Sequence, residues 1–385
     1  TSRTDASGGG LPSFPRLLLS TGIAFVACLI AKLISFDAAD LLLIWPCAGV
    51  AFTFAWRNGL RWAVPPAVGG ALWAWVEFGA IGPTLVTFAA SVAGPMLAVA
   101  TLRRLNNWKP AEYRLEAAVR FVGVVTLLAA PVDALLATLG LQWSGLFGAA
   151  HPAHRFMVWW LIDALGLLLI APALLAWMGE SLAEAEPGLS QRALVDAPAF
   201  FLTLMVIGTG VMVSMFGQQG YAYALAFLYF PIVAWTAIRM SERATALSLA
   251  ATAIPLLIAR AHQVAQSHDD FFRALEASVL VFSAVIVAQM LQAVATDRRF
   301  ALARVAQQAR QDMSTGLLND RGLIAEIGER LSMPTRPDYG LIGVHLSNFD
   351  TLNDLCGPIR ALQLEQDVAA LLMRQPGAKA AARLS

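Results

Sequence analysis

Read for its alternation of apolar and polar positions, the chain is a succession of long apolar runs separated by short polar connections. About ten such runs stand out, at about 17–36, 41–56, 62–80, 83–102, 117–139, 156–178, 197–217, 221–238, 243–261 and 273–296. Most approach the roughly 20 residues a bilayer-spanning helix needs. Prolines fall inside several of them (Pro46, Pro65, Pro66, Pro95, Pro131, Pro172, Pro231, Pro255), which buried membrane helices tolerate because neighbours re-satisfy the freed backbone groups. Small residues such as Gly69-Gly70-Ala71 and Ala89-Ala90-Ser91 let helix backbones approach closely. The expected architecture is mainly α: a polytopic bundle at 17–296 after a flexible polar start at 1–16, which has no apolar run followed by a cleavage site.

Past the last run the pattern changes. Residues 294–312 read as one continuous helix with a short apolar stripe at Leu302, Val305/Ala306, Ala309 and Met313. It is either a dimeric signalling coil leaving the membrane or an amphipathic linker; the segment 297–312 is taken as the linker. From Met313 onward the pattern is that of a soluble α/β domain. A helix is expected at 321–331, a strand at 339–346, helices at 350–356 and 358–373, and the start of another strand at 380–385. About 70 residues are few for a complete α/β domain, so 313–385 is expected to be a partial one.

Composition changes little in this picture. The 385 residues are 58% hydrophobic and only 14% charged, against about 25% charge in a soluble domain. A net charge of +1 gives no reason to expect a nucleic-acid partner. Cys28, Cys47 and Cys356 show neither metal spacing nor a disulfide framework. The placement of basic residues says more. Arg3, Arg16, Arg57, Arg61, Arg103, Arg104, Lys109, Arg114, Arg120, Arg192, Arg239, Arg243, Arg298, Arg299, Arg304 and Arg310 fall on one side if ten spans are threaded, against Lys32, Arg155, Arg260 and Arg273 on the other. That puts both termini in the cytoplasm. The loop 179–196 is acidic, but acids contribute little to orientation.

Charges inside apolar runs are costly and face partners or cavities. The run 156–178 opens on Arg155, carries Trp159-Trp160, and holds Asp163 about two turns in. At about 1.5 Å per residue, Asp163 falls roughly 10 Å below the outer edge and Asp133 roughly 9 Å from the same face. Glu77, Lys32, Trp45, Trp73 and Trp75 share that half. An aromatic-lined cavity with carboxylates suits a cationic or amine-bearing small molecule. Asp163, Trp159, Trp160, Asp133, Trp45, Arg155 and Glu77 are therefore the candidate ligand-binding residues. The alternatives stay open: an interfacial belt for the tryptophans, and for the acids a buried strut partnered by Arg155 or Lys32. His151 and His154 read as polar loop residues rather than metal ligands, and Arg239 as a headgroup anchor or a partner of Glu242.

Three stretches carry a resemblance. Trp45-Pro46-Cys47-Ala48-Gly49-Val50-Ala51, Trp159-Trp160-Leu161-Ile162-Asp163-Ala164-Leu165-Gly166 with Ala171-Pro172, and Pro231-Ile232-Val233-Ala234-Trp235-Thr236-Ala237-Ile238-Arg239 resemble, in order, motifs of the first family of membrane-associated sensor (MASE) domains. The resemblance implies a sensory module in a bacterial inner membrane that controls a cytoplasmic output region. A second likeness lies downstream. Asp312-Met313-Ser314-Thr315-Gly316-Leu317-Leu318-Asn319-Asp320-Arg321, Asn348-Phe349 and Asn353-Asp354-Leu355-Cys356-Gly357 resemble the first half of a GGDEF domain, the diguanylate cyclase fold. His345 and Ser347 stand where that family has its aspartates, Asp350 where it has lysine and Pro358 where it has histidine. Histidine is a poor magnesium ligand and phosphoryl transfer relies on Mg²⁺ held by oxygens, so no cyclase activity is expected. Asn353 and Asp354 keep the guanine-recognising pair, which leaves GTP binding beside a purely structural adaptor role.

These readings give a homodimeric sensor that responds to a small molecule or a membrane state and regulates cyclic di-GMP turnover. Family architecture implies that an EAL-type phosphodiesterase domain follows. The alternative is a transporter or channel with an accessory soluble domain, which an inverted repeat would favour. No catalytic residue, metal or cofactor is expected in this chain.

Overall fold

A computed structural model describes residues 14–35, 42–105, 115–144, 152–180, 229–240, 243–246, 248–250, 253, 270–331, 340–375 and 378–384. The chain divides into two compact units, Thr1–Asp297 and Arg298–Ser385, and each is described by itself.

The first unit is a helical bundle. Its described helices are α1 (Phe14–Ser35), α2 (Pro46–Asn58), α3 (Val64–Phe78), α4 (Ile81–Arg104), α5 (Leu115–Trp143), α6 (Pro152–Met178) and α7 (Tyr229–Arg239). A further helix, α8 (Asp270–Gln308), begins in this unit and ends in the second. Five stretches are long and apolar enough to cross a membrane: Phe14–Leu33, Ile81–Arg104, Leu115–Trp143, Pro152–Met178 and Ser278–Leu302. They match the apolar runs expected at 17–36, 83–102, 117–139, 156–178 and 273–296. The run at 41–56 holds the 13-residue helix α2, and in the run at 62–80 a 3-10 turn, Leu60–Ala63, leads straight into the 15-residue α3. Alone, α2 reaches only about 20 Å, less than the roughly 30 Å of hydrocarbon, whereas α3 with its leading turn reaches about 30 Å. Pro46 delays the start of α2, because proline is accommodated in a first turn but not deeper. The run at 197–217 and most of 221–261 lie outside the described residues.

Local sequence fixes how these helices meet. Thr21 Oγ1 donates to the Pro65 carbonyl at 2.9 Å, and a side chain at Gly69 would strike the backbone of α1 at Thr21; this is the close approach that small residues permit. Ser35 Oγ donates to the Ala31 carbonyl and accepts the Leu43 N–H, tying the end of α1 to the stretch before α2. The core is apolar and aromatic: Phe52, Phe121, Leu165, Leu167 and Leu168 are fully buried, and Phe52 meets Phe121 edge-on at 5.5 Å between α2 and α5. One face of α1 (Leu18, Ile23, Val26, Ile30, Leu33) is exposed instead, as a bilayer-facing surface requires. Arg103 donates to the carbonyls of Ala55 and Trp56, Arg57 to Met178 and Arg120 to Leu105. Basic side chains thus bond to carbonyls at the C-terminal ends of α2, α6 and α4 and complement their dipoles.

In the second unit, α9 (Asp320–Leu331), α10 (Phe349–Cys356) and α11 (Pro358–Met373) follow the end of α8. The helix expected through 294–312 continues to Gln308 and stops in a turn. The strand expected at 339–346 is corrected: its described part, 340–346, pairs with no other strand, and Leu341, Ile342 and Val344 are exposed. An apolar alternation makes a strand only beside a neighbour that takes its backbone donors and acceptors, and none of the described residues does so. The second expected strand, at 380–385, is reduced to a single parallel bridge between Leu318 and Ala382.

Candidate functional site

The two motif-bearing stretches expected to matter, around Trp45 and around Asp163, meet at one helix crossing. Trp45 N–H donates to the Ile162 carbonyl at 3.2 Å. Gly166 lies so close to the Trp45 carbonyl that any side chain there would collide with it, and a side chain at Gly49 would strike the Gly166 carbonyl and Ile170. Each motif glycine therefore clears space for the other helix. Trp45 itself is buried, not interfacial. Its indole Nε1 donates to Ser91 Oγ at 3.1 Å, and its ring meets Trp73 edge-on at 5.4 Å, satisfying both ends of an amphipathic side chain.

Next to this crossing sit two buried carboxyls. Asp133 on α5 is 1% exposed and Asp163 on α6 is 3% exposed. The two side chains lie within electrostatic range of each other, and Cys47 is a further titratable neighbour of Asp133. Asp133 Oδ1 accepts the Gly94 N–H at 2.6 Å, and Oδ2 has no hydrogen-bond partner. A side chain at Gly94 would fall on the Asp133 carboxylate, so glycine at that position of α4 is what admits the acid. Two carboxyls in one low-dielectric site attract positive charge, whether a cation or a proton. Lys32, one of the expected cationic partners, pairs with Glu77 between α1 and α3 at 2.6 Å. Arg155 and Trp159 are half-buried in the first turns of α6.

Trp160 bridges helices. The turn Val125–Ala129 of α5 is a widened, π-helical one, in which Ala130 N–H bonds to Val125. The next donor in that register is Pro131, which has no N–H. The Thr126 carbonyl is thereby left without a main-chain donor, and Trp160 Nε1 supplies one at 2.8 Å. The Trp160 ring also lies 5.9 Å from Phe282 of α8. Cys28 and Cys47 are buried free thiols in contact, and Cys47 Sγ donates to the Pro66 carbonyl at 3.2 Å. His151 and Glu242 lie outside the described residues, and Arg239 ends α7.

The second unit is organised on Asp312. Its Oδ1 accepts from Ser314 Oγ (2.6 Å), Thr315 Oγ1 (2.7 Å) and Thr315 N–H (2.9 Å), and Arg383 pairs with Oδ2 at 3.3 Å. The Ser314 hydroxyl above all, then Thr315 and Arg383, hold this carboxyl well below the usual carboxylate range. Asn319 donates to the carbonyls of Ala309 and Gln311 and accepts the Gly322 N–H, so it joins the end of α8 to the start of α9. Asn353, half-buried, and Asp354, exposed, lie on α10.

Sequence reasoning missed Gly94, Ser91 and Gln289. Gly94 carried a signal in Gly94-Pro95, because a proline within a helix marks an irregularity at which neighbours supply hydrogen bonds. Gln289 is a polar residue inside an apolar span, a signal of the same kind as the two acids.

A family model described as MASE1 matches residues 16–299. No curated protein and no solved structure matches the chain.

Proposed function

The chain belongs to the MASE1 family of membrane sensor domains found in signalling proteins, and from that premise we propose that it is a homodimeric bacterial inner-membrane sensor whose bundle responds to a small cationic or amine-bearing molecule, or to a membrane state, around Asp133 and Asp163. The observation that carries this reading is the buried carboxyl pair, with one oxygen of Asp133 unpartnered, set beside the crossing of α2 and α6. Nothing in the packing of a lipid-embedded bundle calls for two neighbouring acids, since such residues are expensive there. Trp159, Trp160, Trp45, Arg155 and Glu77 are the further residues assigned to this input. The pair is closed off in this conformation, so the ligand reaches it in a second arrangement of the helices. Different affinity for two arrangements is what lets a ligand drive a signal.

The rest of the proposal concerns topology and output. About ten spans, with the short α2 as a broken one of the kind that buried bundles tolerate, and both termini cytoplasmic fit the distribution of arginine and lysine. The region 313–385 acts as a partial, degenerate GGDEF-like domain, and the bundle regulates cyclic di-GMP turnover through it and through a phosphodiesterase domain beyond. The Asp312 turn, which occupies the residues that resemble the opening of that family, supports this. The substitutions at His345, Ser347 and Asp350 argue against cyclase chemistry, and Asn353 and Asp354 offer a site for GTP. The test is cellular cyclic di-GMP in cells carrying the full-length protein. Asp163→Asn and Trp160→Ala, each at normal membrane abundance, should abolish the response to stimulus. Unchanged output from both would sink the reading.

A further inference from the structure

We propose that Gln289 is the positioning residue through which the output helix α8 reads the packing of the Asp163 span. This rests on the sensor reading above, and it starts from a defect in α6. In a regular helix the Leu168 carbonyl would accept the N–H four residues on, but that residue is Pro172, which has none. The Ala171 N–H bonds to Leu167, four residues back, so Pro172 stands where that register needs its next donor; Leu168 itself is 1% exposed, so water does not replace the missing donor. Gln289 Nε2 does, at 2.5 Å, from a side chain only 3% exposed. An unsatisfied carbonyl inside a bilayer is costly, so α8 is held to α6 at the place where α6 lacks its own hydrogen bond.

Two further contacts bracket this bond along α8. Phe282 lies against Trp160, whose indole supplies the carbonyl freed by Pro131 in α5. Asp297 Oδ2 accepts the N–H of Leu115, the first residue of α5. Thus α8 touches α5 and α6 at successive levels, and the contact at Leu168 lies five residues beyond Asp163. A slide or rotation of α6 that follows a change at the carboxyl pair moves the Leu168 carbonyl. The Gln289 amide must then follow it or let go. The opposite end of that amide, Oε1, is buried without a partner. The side chain is therefore half-satisfied in this arrangement, and a turn of α8 that brought Oε1 to a donor would give the contact a second state.

The experiment uses the full chain in lipid nanodiscs and reads amide hydrogen exchange along α6 and α8. Gln289→Met keeps length and volume but removes the donor. It should speed exchange across 282–293 roughly 3- to 30-fold, the range that an interhelical side-chain hydrogen bond in a bilayer commands. In a Pro172→Ala background, which returns a main-chain donor to the Leu168 carbonyl, the same substitution should have less than half that effect on a logarithmic scale. Asp163→Asn should alter exchange in α8 in the otherwise native chain and not in Gln289→Met, while exchange around Gly94 and Asp133 reports that the bundle is still folded. The proposal is overturned if Asp163→Asn shifts α8 equally with and without Gln289, if it shifts α8 in neither, or if Pro172→Ala leaves the Gln289→Met effect intact. Coupling that depends on Gln289 in the nanodisc, with unchanged cellular output for both Asp163→Asn and Trp160→Ala, sinks the sensor reading and leaves this contact standing.

Discussion

Replacing Gly94 by alanine tests whether Asp133 is held as described. The Asp133 carboxylate occupies the space the new methyl needs, and the Gly94 N–H donates to Oδ1 at 2.6 Å. Both groups belong to packed helices, so the acid must swing off its donor or α5 must back away from α4. The first outcome loses a buried hydrogen bond to a carboxyl, worth about 1–3 kcal/mol with the desolvation of the groups left behind. The second is overpacking, which costs about 1–3 kcal/mol. Alanine returns up to about 1 kcal/mol of helix propensity. Either way the net loss is about 0–3 kcal/mol, or about 1–3 kcal/mol relative to an alanine that gains the same propensity without an obstruction. Gly123→Ala is the control, because a side chain at Gly123 of α5 meets nothing within 4 Å; it should be neutral or slightly stabilising. Denaturation of the full chain in mixed micelles, followed by tryptophan fluorescence, measures both. The double variant Gly94→Ala/Asp133→Ala removes the obstructing carboxylate, so its loss should fall short of the sum of the single losses by more than about 0.5 kcal/mol, the margin within which independent sites add. A Gly94→Ala protein as stable as Gly123→Ala, or strict additivity in the double variant, refutes the placement of Asp133.

Gly166→Ala drives a methyl into the Trp45 carbonyl, and Gly49→Ala drives one into Gly166; each should destabilise the bundle by about 1–3 kcal/mol in the same assay, with strong non-additivity because both act at one crossing. Trp160→Phe keeps the ring against Phe282 but leaves the Thr126 carbonyl without its donor, a loss of roughly 0.6–2 kcal/mol that faster amide exchange at 126–131 would report. For Asp312, the folded carboxyl is depressed mainly by the Ser314 hydroxyl, so it binds a proton less readily folded than unfolded. Its contribution to the second unit is present above about pH 4, the ordinary aspartate value, and is lost as pH falls towards the folded value. Proteolytic protection of 310–322 should drop with acid in the native chain and lose that acid dependence in Asp312→Asn.

The membrane character of the first unit was legible because hydropathy and length decide it. The helices at 14–35, 81–104, 115–143 and 152–178 lie where the apolar runs predicted them. What hydropathy cannot weigh is whether an apolar run spans or is merely buried. Around α2, Pro46 and Gly59 cut the helix to 13 residues, while nearly every one of its first ten positions is buried among its neighbours. Burial in protein and burial in lipid select the same residue types. The expected strand at 339–346 failed for a related reason: alternation describes a face, but a ladder needs a second strand to pair with.

The candidate site was legible as far as charge goes and no further. Asp133 and Asp163 stood out because acids in apolar runs are rare, and depth arithmetic placed them at a similar level. That Gly94 would carry one of them depends on a contact between residues 39 positions apart, which no local pattern encodes. The prolines are the more instructive case. Pro131 and Pro172 were read as tolerated irregularities, yet each removes a specific donor, and in each case a named side chain from another helix fills the vacancy: Trp160 for Thr126 and Gln289 for Leu168. A proline in a membrane span therefore predicts a polar or indole side chain elsewhere in the chain, because the lipid cannot supply the missing hydrogen bond. Counting the orphan carbonyls at i−4 and i−5 of Pro131 and Pro172 directs attention to the polar residues of the last apolar run, Gln289 and Gln292, both of which the structure buries. The order of these contacts also has a direction. Trp160 takes a carbonyl of α5 and stands three residues before Asp163; Gln289 takes a carbonyl of α6 five residues after it. The acid sits between the bond that fixes α6 to α5 and the bond that fixes α8 to α6, so a change at Asp163 acts on the segment whose two ends are already spoken for, and the helix that leaves the bundle holds one of those ends.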